Sequence, residues 1–149
     1  MRKIMTNTFG ENNFSVLLDS DAIIASILDD DLLHVRALNL FTKLADKQVT
    51  LYVSATTVAE TVVGLHRKFN KRARSLDFLE KIVKRWAKLV VVDEVIMSEA
   101  YRILLLSQSK QNTIFDAINI AAVKTYRIDA IFSFDRWYGR QGVKLVEDI

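Results

Sequence analysis

Residues 14–21 read FSVLLDSD, an apolar run that stops abruptly at Asp19 and Asp21. A run this short and this apolar fits a strand buried on both faces. In an open α/β sheet, ligands bind at the carboxyl ends of such strands. Asp19 is therefore expected at the edge where chemistry is done, and the fold depends on whether the rest of the chain alternates strand and helix around it.

Composition sets the bounds. With 149 residues, half of them apolar, the chain is long enough for one domain with a proper core and too short for two. The absence of cysteine excludes disulfide scaffolds and thiolate zinc sites, and two histidines, His34 and His66, argue against a multi-histidine centre. Any metal would be held by oxygen. The opening MRKIMTNTFGENN has no apolar signal core, and no 18-residue apolar run follows, so a cytoplasmic protein without membrane association is expected. A net charge of +3 and a pI near 9.2 are compatible with a polyanionic partner.

Outward from Asp19, strand-like and helix-like segments alternate without repeats or linkers. After a strand at 15–19 come the helical turn AIIASIL and a helix at 32–46, with Asp29, Asp30 and Asp31 as an exposed connection. VTLYV at 49–53 reads as strand two, and Ser54 can cap a helix whose stripe runs through Val58, Val62, Leu65 and Phe69. A helix at 75–88, strand three at 89–92, helices at 96–109 and 113–126, strand four at 130–133 and a short strand five at 143–146 follow. Strands separated by helices imply a parallel sheet with helices on both faces.

The acids then acquire positions. Between Gln48 and Leu65 the sole charge is Glu60, in the middle of an apolar helix, where a carboxylate must face solvent or find partners in a dry pocket. IFDAINIAAV at 114–123 has Asp116 and Asn119 as its polar residues, three apart on one face, although Thr113 and Asp116 also fit a capping box that would make Asp116 a helix-start device. IFSFD at 131–135 repeats the opening pattern and ends in Asp135. All four acids can reach the same carboxyl edge. Two carboxylates ~4 Å apart repel by roughly 4 kcal/mol at an effective dielectric of 20, so protonation or hard cations, Mg²⁺ or Mn²⁺, would have to offset the cluster. Such a site suits metal-assisted phosphodiester hydrolysis.

Four stretches, VLLDSDAII, TTVAETVVGL, TIFDAINIAAV and IFSFDRWYGRQGVKLV, occur in the order and at the spacings that resemble PIN-domain ribonucleases, most closely the VapC-like toxins of toxin–antitoxin pairs. The resemblance covers about residues 15–146 and leaves residues 1–13 as an N-terminal extension of a single domain. It implies a three-layer α/β/α fold with a five-stranded parallel sheet of order 3-2-1-4-5, Mg²⁺- or Mn²⁺-dependent cleavage of RNA, frequent homodimers, and an antitoxin that offers Arg or Lys to the acids. By the match, Asp19, Glu60, Asp116 and Asp135 are the metal-site acids, and Ser133 stands at the family's Ser or Thr position. Asp21 stands where Asn or Ser is more usual.

On that reading Asp19, Asp116 and Asp135 would ligate one metal directly or through water, and Glu60 a second, or Glu60 would orient the attacking water. In-line attack would expel the 3′-oxygen and leave a 5′-phosphate. Asn119 and Ser133 would orient carboxylates and bound waters. Arg67, Lys68, Lys71, Arg72 and Arg74, with Lys81, Lys84, Arg85 and Lys88 along one helix face, offer a surface for RNA phosphates or a solvated basic hairpin. Arg136, Trp137 and Tyr138 could stack on or clamp a nucleotide beside Asp135, or Trp137 could pack in the core. Two alternatives differ in class. One is a non-catalytic RNA- or partner-binding module on the same fold. The other is a haloacid dehalogenase-like phosphatase with Asp19 as nucleophile and Asp21 as acid, where Ala22 replaces the usual Gly.

Overall fold

A computed structural model describes residues 14–149; the N-terminal extension lies outside the described residues. Four strands, β1 (Ser15–Leu18), β2 (Thr50–Ser54), β3 (Lys88–Val90) and β4 (Ala130–Phe132), form a parallel sheet of order β3-β2-β1-β4. The helices are α1 (Ser20–Ile27), α2 (His34–Asp46), α3 (Ala55–Val63), α4 (Arg72–Val83), α5 (Glu94–Leu106), α6 (Ile114–Tyr126) and the short α7 (Trp137–Arg140).

Alternation along β1 sorts the layers. Val16 and Leu18 point into one core with residues of α1 to α4, whereas Leu17 points into the other with α5, α6 and α7. Because β1 has neighbours on both edges and helices over both faces, all three residues are fully buried, which is why the strand reads as an unbroken apolar run. Its register with β4 pairs Val16 with Ala130 and Leu18 with Phe132. The start of that pairing is pinned by Asp129, whose Oδ2 accepts from the Ser15 backbone N–H at 2.7 Å and hydroxyl at 2.9 Å, while the Asp129 N–H donates back to Ser15 Oγ at 3.1 Å.

The expected fifth strand is not formed. Residues 143–146 contribute one parallel bridge, Ile131 to Leu145, with the Ile131 N–H donating to the Lys144 carbonyl at 2.8 Å, before the chain enters a 3₁₀ turn at Val146–Asp148. Its apolar residues plug the ends of both cores instead, Val143 and Leu145 on one side and Val146 on the other. Glu147 then reaches Arg36 of α2 at 2.6 Å, which draws the chain away from the sheet edge. A second difference is in the basic segment. The helix ends at Val83, Arg85 adopts a left-handed backbone (φ 61°) and Lys88 belongs to β3, so Lys81, Lys84, Arg85 and Lys88 do not share one helical face. Burial of Trp86 against Phe41 explains the early stop.

Phe41 joins the α2 layer to the sheet, packing at a tilt against Phe132 at a ring separation of 4.6 Å and against Trp86 at 6.0 Å. Phe41→Ala should destabilise the protein by about 3–5 kcal/mol, read as a shift in the urea midpoint with little change in slope; a loss below about 1 kcal/mol would show that this contact is dispensable.

Candidate active site

Asp19, Asp21, Glu60, Asp116 and Asp135 lie at or just beyond the carboxyl edge of the sheet. Asp19 follows β1 directly as the N-cap of α1: its backbone is extended (φ −101°, ψ 159°), and its Oδ1 accepts from the Ser20 N–H at 2.8 Å. The Asp19 N–H continues the β1–β4 ladder to the Phe132 carbonyl at 3.0 Å, which places Asp19 beside Ser133. Ser54 ends β2 and caps α3 through the Thr57 N–H at 3.1 Å, setting the helix that carries Glu60. After Glu60 the helix continues into a π-helical segment, Gly64–Lys68. At the start of α6 the capping box is present: Thr113 N–H donates to Asp116 Oδ2 at 2.8 Å. The cap does not remove Asp116 from the site, because its Oδ1 accepts from the Tyr138 hydroxyl at 3.1 Å. Asp135, in the loop after β4, receives the Trp137 N–H at 2.8 Å.

Asn119 is the hub. It is fully buried, and its amide donates to Asp19 Oδ1 at 3.0 Å and to the Tyr138 hydroxyl at 3.2 Å. Its carbonyl accepts from the Thr57 hydroxyl at 3.1 Å, which fixes which way the amide faces. Ser133 donates to Asp21 Oδ2 at 3.0 Å and accepts from the Asp135 N–H at 3.0 Å, so it ties the first acidic segment to the last.

Asn112 carries no signal in the sequence, and Tyr138 takes a role other than the one the sequence suggests. Asn112 donates to Asp135 Oδ2 at 2.8 Å and to Asp116 Oδ2 at 3.3 Å, bridging two of the acids from the loop before α6. Tyr138 is a buried hydrogen-bonding partner of the cluster and not an exposed stacking ring; Trp137 is likewise buried. Asp21 takes three donors, the Ala22 N–H, the Phe134 N–H and Ser133 Oγ, and so fastens the β4 loop onto α1. Asp21, the second acid of the opening run, reads as a helix-start or outer-shell residue, and its contacts to the Ala22 N–H and Ser133 are of that kind. For Asn112 and Tyr138 no periodicity marked them.

Burial and mutual repulsion dominate the electrostatics. Desolvation, then the neighbouring Asp21 and Asp116, push the Asp19 carboxyl up to about 8 despite the Ser20 N–H. Asp21 is pushed up to about 6, chiefly by burial, with Asp135 adding to it. Glu60 is also raised, by burial first and by Asp116, while the Ser20 side chain pulls the other way. The ion pairs among the described residues include none of these acids. Helix N-termini offset part of the charge, about 0.3–1 kcal/mol each, which is small beside roughly 4 kcal/mol for each close carboxylate pair.

The donor set is all oxygen and has excess negative potential, which fits a hard divalent cation. In the present arrangement, among the described residues, no three acids are grouped to hold one ion together; the Asn112 amide bridges Asp116 and Asp135, and the Asn119 amide links Asp19 to the Tyr138 hydroxyl. Asp19, Asp116, Asp135 and Glu60 remain the residues able to supply such donors.

Arg67 and Lys68 are exposed on the π-helical segment, about 10 Å along the helix from Glu60 at 1.5 Å per residue. Lys71, Arg72 and Arg74 are exposed at the turn into α4. Arg136 is engaged with Asp148 at 3.3 Å and Glu147 at 4.0 Å.

The PIN-domain family profile matches residues 16–142. The chain belongs to the PIN-domain family. This PIN domain is similar in structure to VapC20 of Mycobacterium tuberculosis, a sarcin–ricin-loop-cleaving toxin, with 16% identity over 90% of this chain and 98% of that one and a TM-score of 0.78. FitAcB from Neisseria gonorrhoeae aligns at 18% identity over 87% and 95% of the two chains (TM-score 0.65). VapBC2 of Rickettsia felis, bound to a DNA fragment from its promoter, aligns at 13% identity over 89% and 97% (TM-score 0.63). At these identities the likeness is one of fold. No curated protein sequence matches the chain. Among the described residues no helix is long and apolar enough to cross a membrane.

The raised carboxyls make a pH prediction for the PIN domain in EDTA. Between the ordinary aspartate value of 3.8 and about 8, the folded state keeps a proton on Asp19 that the unfolded chain releases, so stability is greatest below the window and falls as pH rises through it. Asp21 adds to the same slope up to about 6. Urea midpoints should therefore be higher at pH 5 than at pH 8, and Asp19→Asn should flatten the decline above pH 6. A midpoint that rises with pH would contradict this assignment of protons.

Proposed function

We propose that this PIN domain is a divalent-metal-dependent ribonuclease acting as the toxin of a toxin–antitoxin pair, working in the cytoplasm. The observation that carries the proposal is the convergence of Asp19, Glu60, Asp116 and Asp135 on one edge with raised carboxyl pKa values for Asp19 and Glu60 and no ion-pair partner among the described residues. Mg²⁺ or Mn²⁺, when bound, supplies Lewis acidity toward a phosphodiester oxygen and lowers the pKa of a coordinated water. Asp19, Asp116 and Asp135 would provide its donors once drawn together around it, and Glu60, less buried than Asp19, would hold a second ion or orient the attacking water. Asn119 and Ser133 keep Asp19 and the Asp135 loop in place. Residues 14–149 would act as one domain, with Arg67, Lys68, Lys71, Arg72 and Arg74 drawing RNA phosphates toward the acids. Arg136 would join them on leaving its carboxylate partners.

An antitoxin chain carrying Arg or Lys is the expected protein partner, because an uncompensated acidic edge favours insertion of a cation, and several structural neighbours are toxin–antitoxin complexes. The phosphatase alternative loses its acid: Asp21 accepts three hydrogen bonds and is placed to tie loops together, not to donate a proton.

RNA cleavage by the purified protein should stop in EDTA and return with Mn²⁺ or Mg²⁺. Asp19→Asn and Glu60→Ala should each lower it about 100-fold or more, the scale lost with groups that orient or activate a nucleophile, while circular dichroism stays native. Undiminished cleavage in EDTA would exclude the metal reading, and a fully active Glu60→Ala would remove Glu60 from the chemistry.

A further inference from the structure

The hydrogen bonds around Asn119 form a continuous network from the end of β2 to the acids. The Ser54 hydroxyl donates to Thr57 Oγ1 at 2.9 Å, and the Thr57 hydroxyl donates to the Asn119 carbonyl at 3.1 Å. One Asn119 N–H goes to Asp19 Oδ1 and the other to the Tyr138 oxygen, and the Tyr138 hydroxyl itself faces both Asp116 Oδ1, at 3.1 Å, and the Asp19 carboxyl. Asp19 from the end of β1 and Asp116 from the start of α6 are thus joined by two neutral groups, an amide and a phenol, both fully buried.

We propose that Tyr138 is a positioning residue of the acidic site: through its hydroxyl, the Asn119–Tyr138 pair acts as a neutral strut that sets the spacing and orientation of Asp19 and Asp116 for cation binding. This rests on the metal-dependent reading above. A tyrosine suits the task because its ring is anchored in the core beside Trp137, at a ring separation of 5.6 Å, while its hydroxyl reaches the polar edge. A phenol bears no charge here, since burial and the flanking Asp19 and Asp116 push its pKa far upward. It therefore orients Asp116 without neutralising the potential that draws a cation. Partners of this kind, which orient ligating carboxylates, are worth about 10- to 100-fold in metal affinity or activity.

Tyr138→Phe keeps the ring and removes the strut's last link. Mn²⁺ affinity, read by electron paramagnetic resonance on the full chain, should weaken about 10-fold or more, and kcat for RNA should fall with KM nearly unchanged. Trp137→Phe, which removes ring volume from the same core, serves as the packing control; it should lower the melting temperature while leaving Mn²⁺ affinity within about two-fold, well inside the loss expected for Tyr138→Phe. Unchanged Mn²⁺ affinity in Tyr138→Phe, or equal losses in both variants, would overturn the role assigned to Tyr138. A wild-type protein that binds no Mn²⁺ would instead overturn the metal-dependent reading itself, and the strut with it.

Discussion

Burying the carboxyl group of Asp19 at the end of the central strand is the constraint around which this edge of the molecule is arranged. β1 is flanked by β2 and β4, so the residue that leaves it enters the interior and not solvent. An ionised carboxylate there loses several kcal/mol of hydration. The fold answers with the Ser20 N–H, the Asn119 amide and the N-terminus of α1. Hydrogen bonds to a charged group return about 1.5–3 kcal/mol each, and the helix terminus up to about 1 kcal/mol. Repulsion from Asp21 and Asp116 works against that return, and the balance falls on the side of the protonated acid. An edge built this way is short of positive charge.

The acids were legible in the sequence because each interrupts an apolar segment: Asp19 and Asp135 end strand-like runs, and Glu60 stands alone between Gln48 and Leu65. Layer order was legible for the same reason, since β1 and α6 are apolar on nearly every side. Asp116 shows the limit of choosing between a cap and a site. Its two oxygens divide the tasks, Oδ2 to the Thr113 N–H and Oδ1 to Tyr138, so both readings hold.

What escaped the sequence shares a physical cause. A pattern of apolar residues records that Val143, Leu145 and Val146 are buried, but not whether they pair with β4 or plug the cores, and only one bridge forms. The basic face assumed from Lys81 to Lys88 fails at Arg85, whose left-handed backbone replaces the Gly or Asn that would have announced a helix end. Tyr138 and Asn112 are recruited by tertiary proximity alone. Each sits in a segment whose local pattern, an aromatic pair or a polar loop, has a sufficient ordinary explanation.

The choice of neutral partners around the acids has a consequence for what the edge can still bind. Each carboxylate offers about four acceptor positions. Asp21 has three taken, two of them on Oδ2, and is spent on holding the β4 loop to α1. Asp135 has two taken, one on each oxygen. Asp19 takes the Ser20 and Asn119 N–H groups on Oδ1 and otherwise holds a proton, which an arriving positive group would displace. Lysine or arginine in the place of Asn112 or Asn119 would satisfy the same oxygens and also cancel the potential. Amides and a phenol orient the carboxylates while leaving their charge uncompensated, which separates the geometry of the site from its affinity for a cation: the first is fixed by the fold, and the second is left to whatever positive group arrives, a metal ion or the basic side chain of a partner.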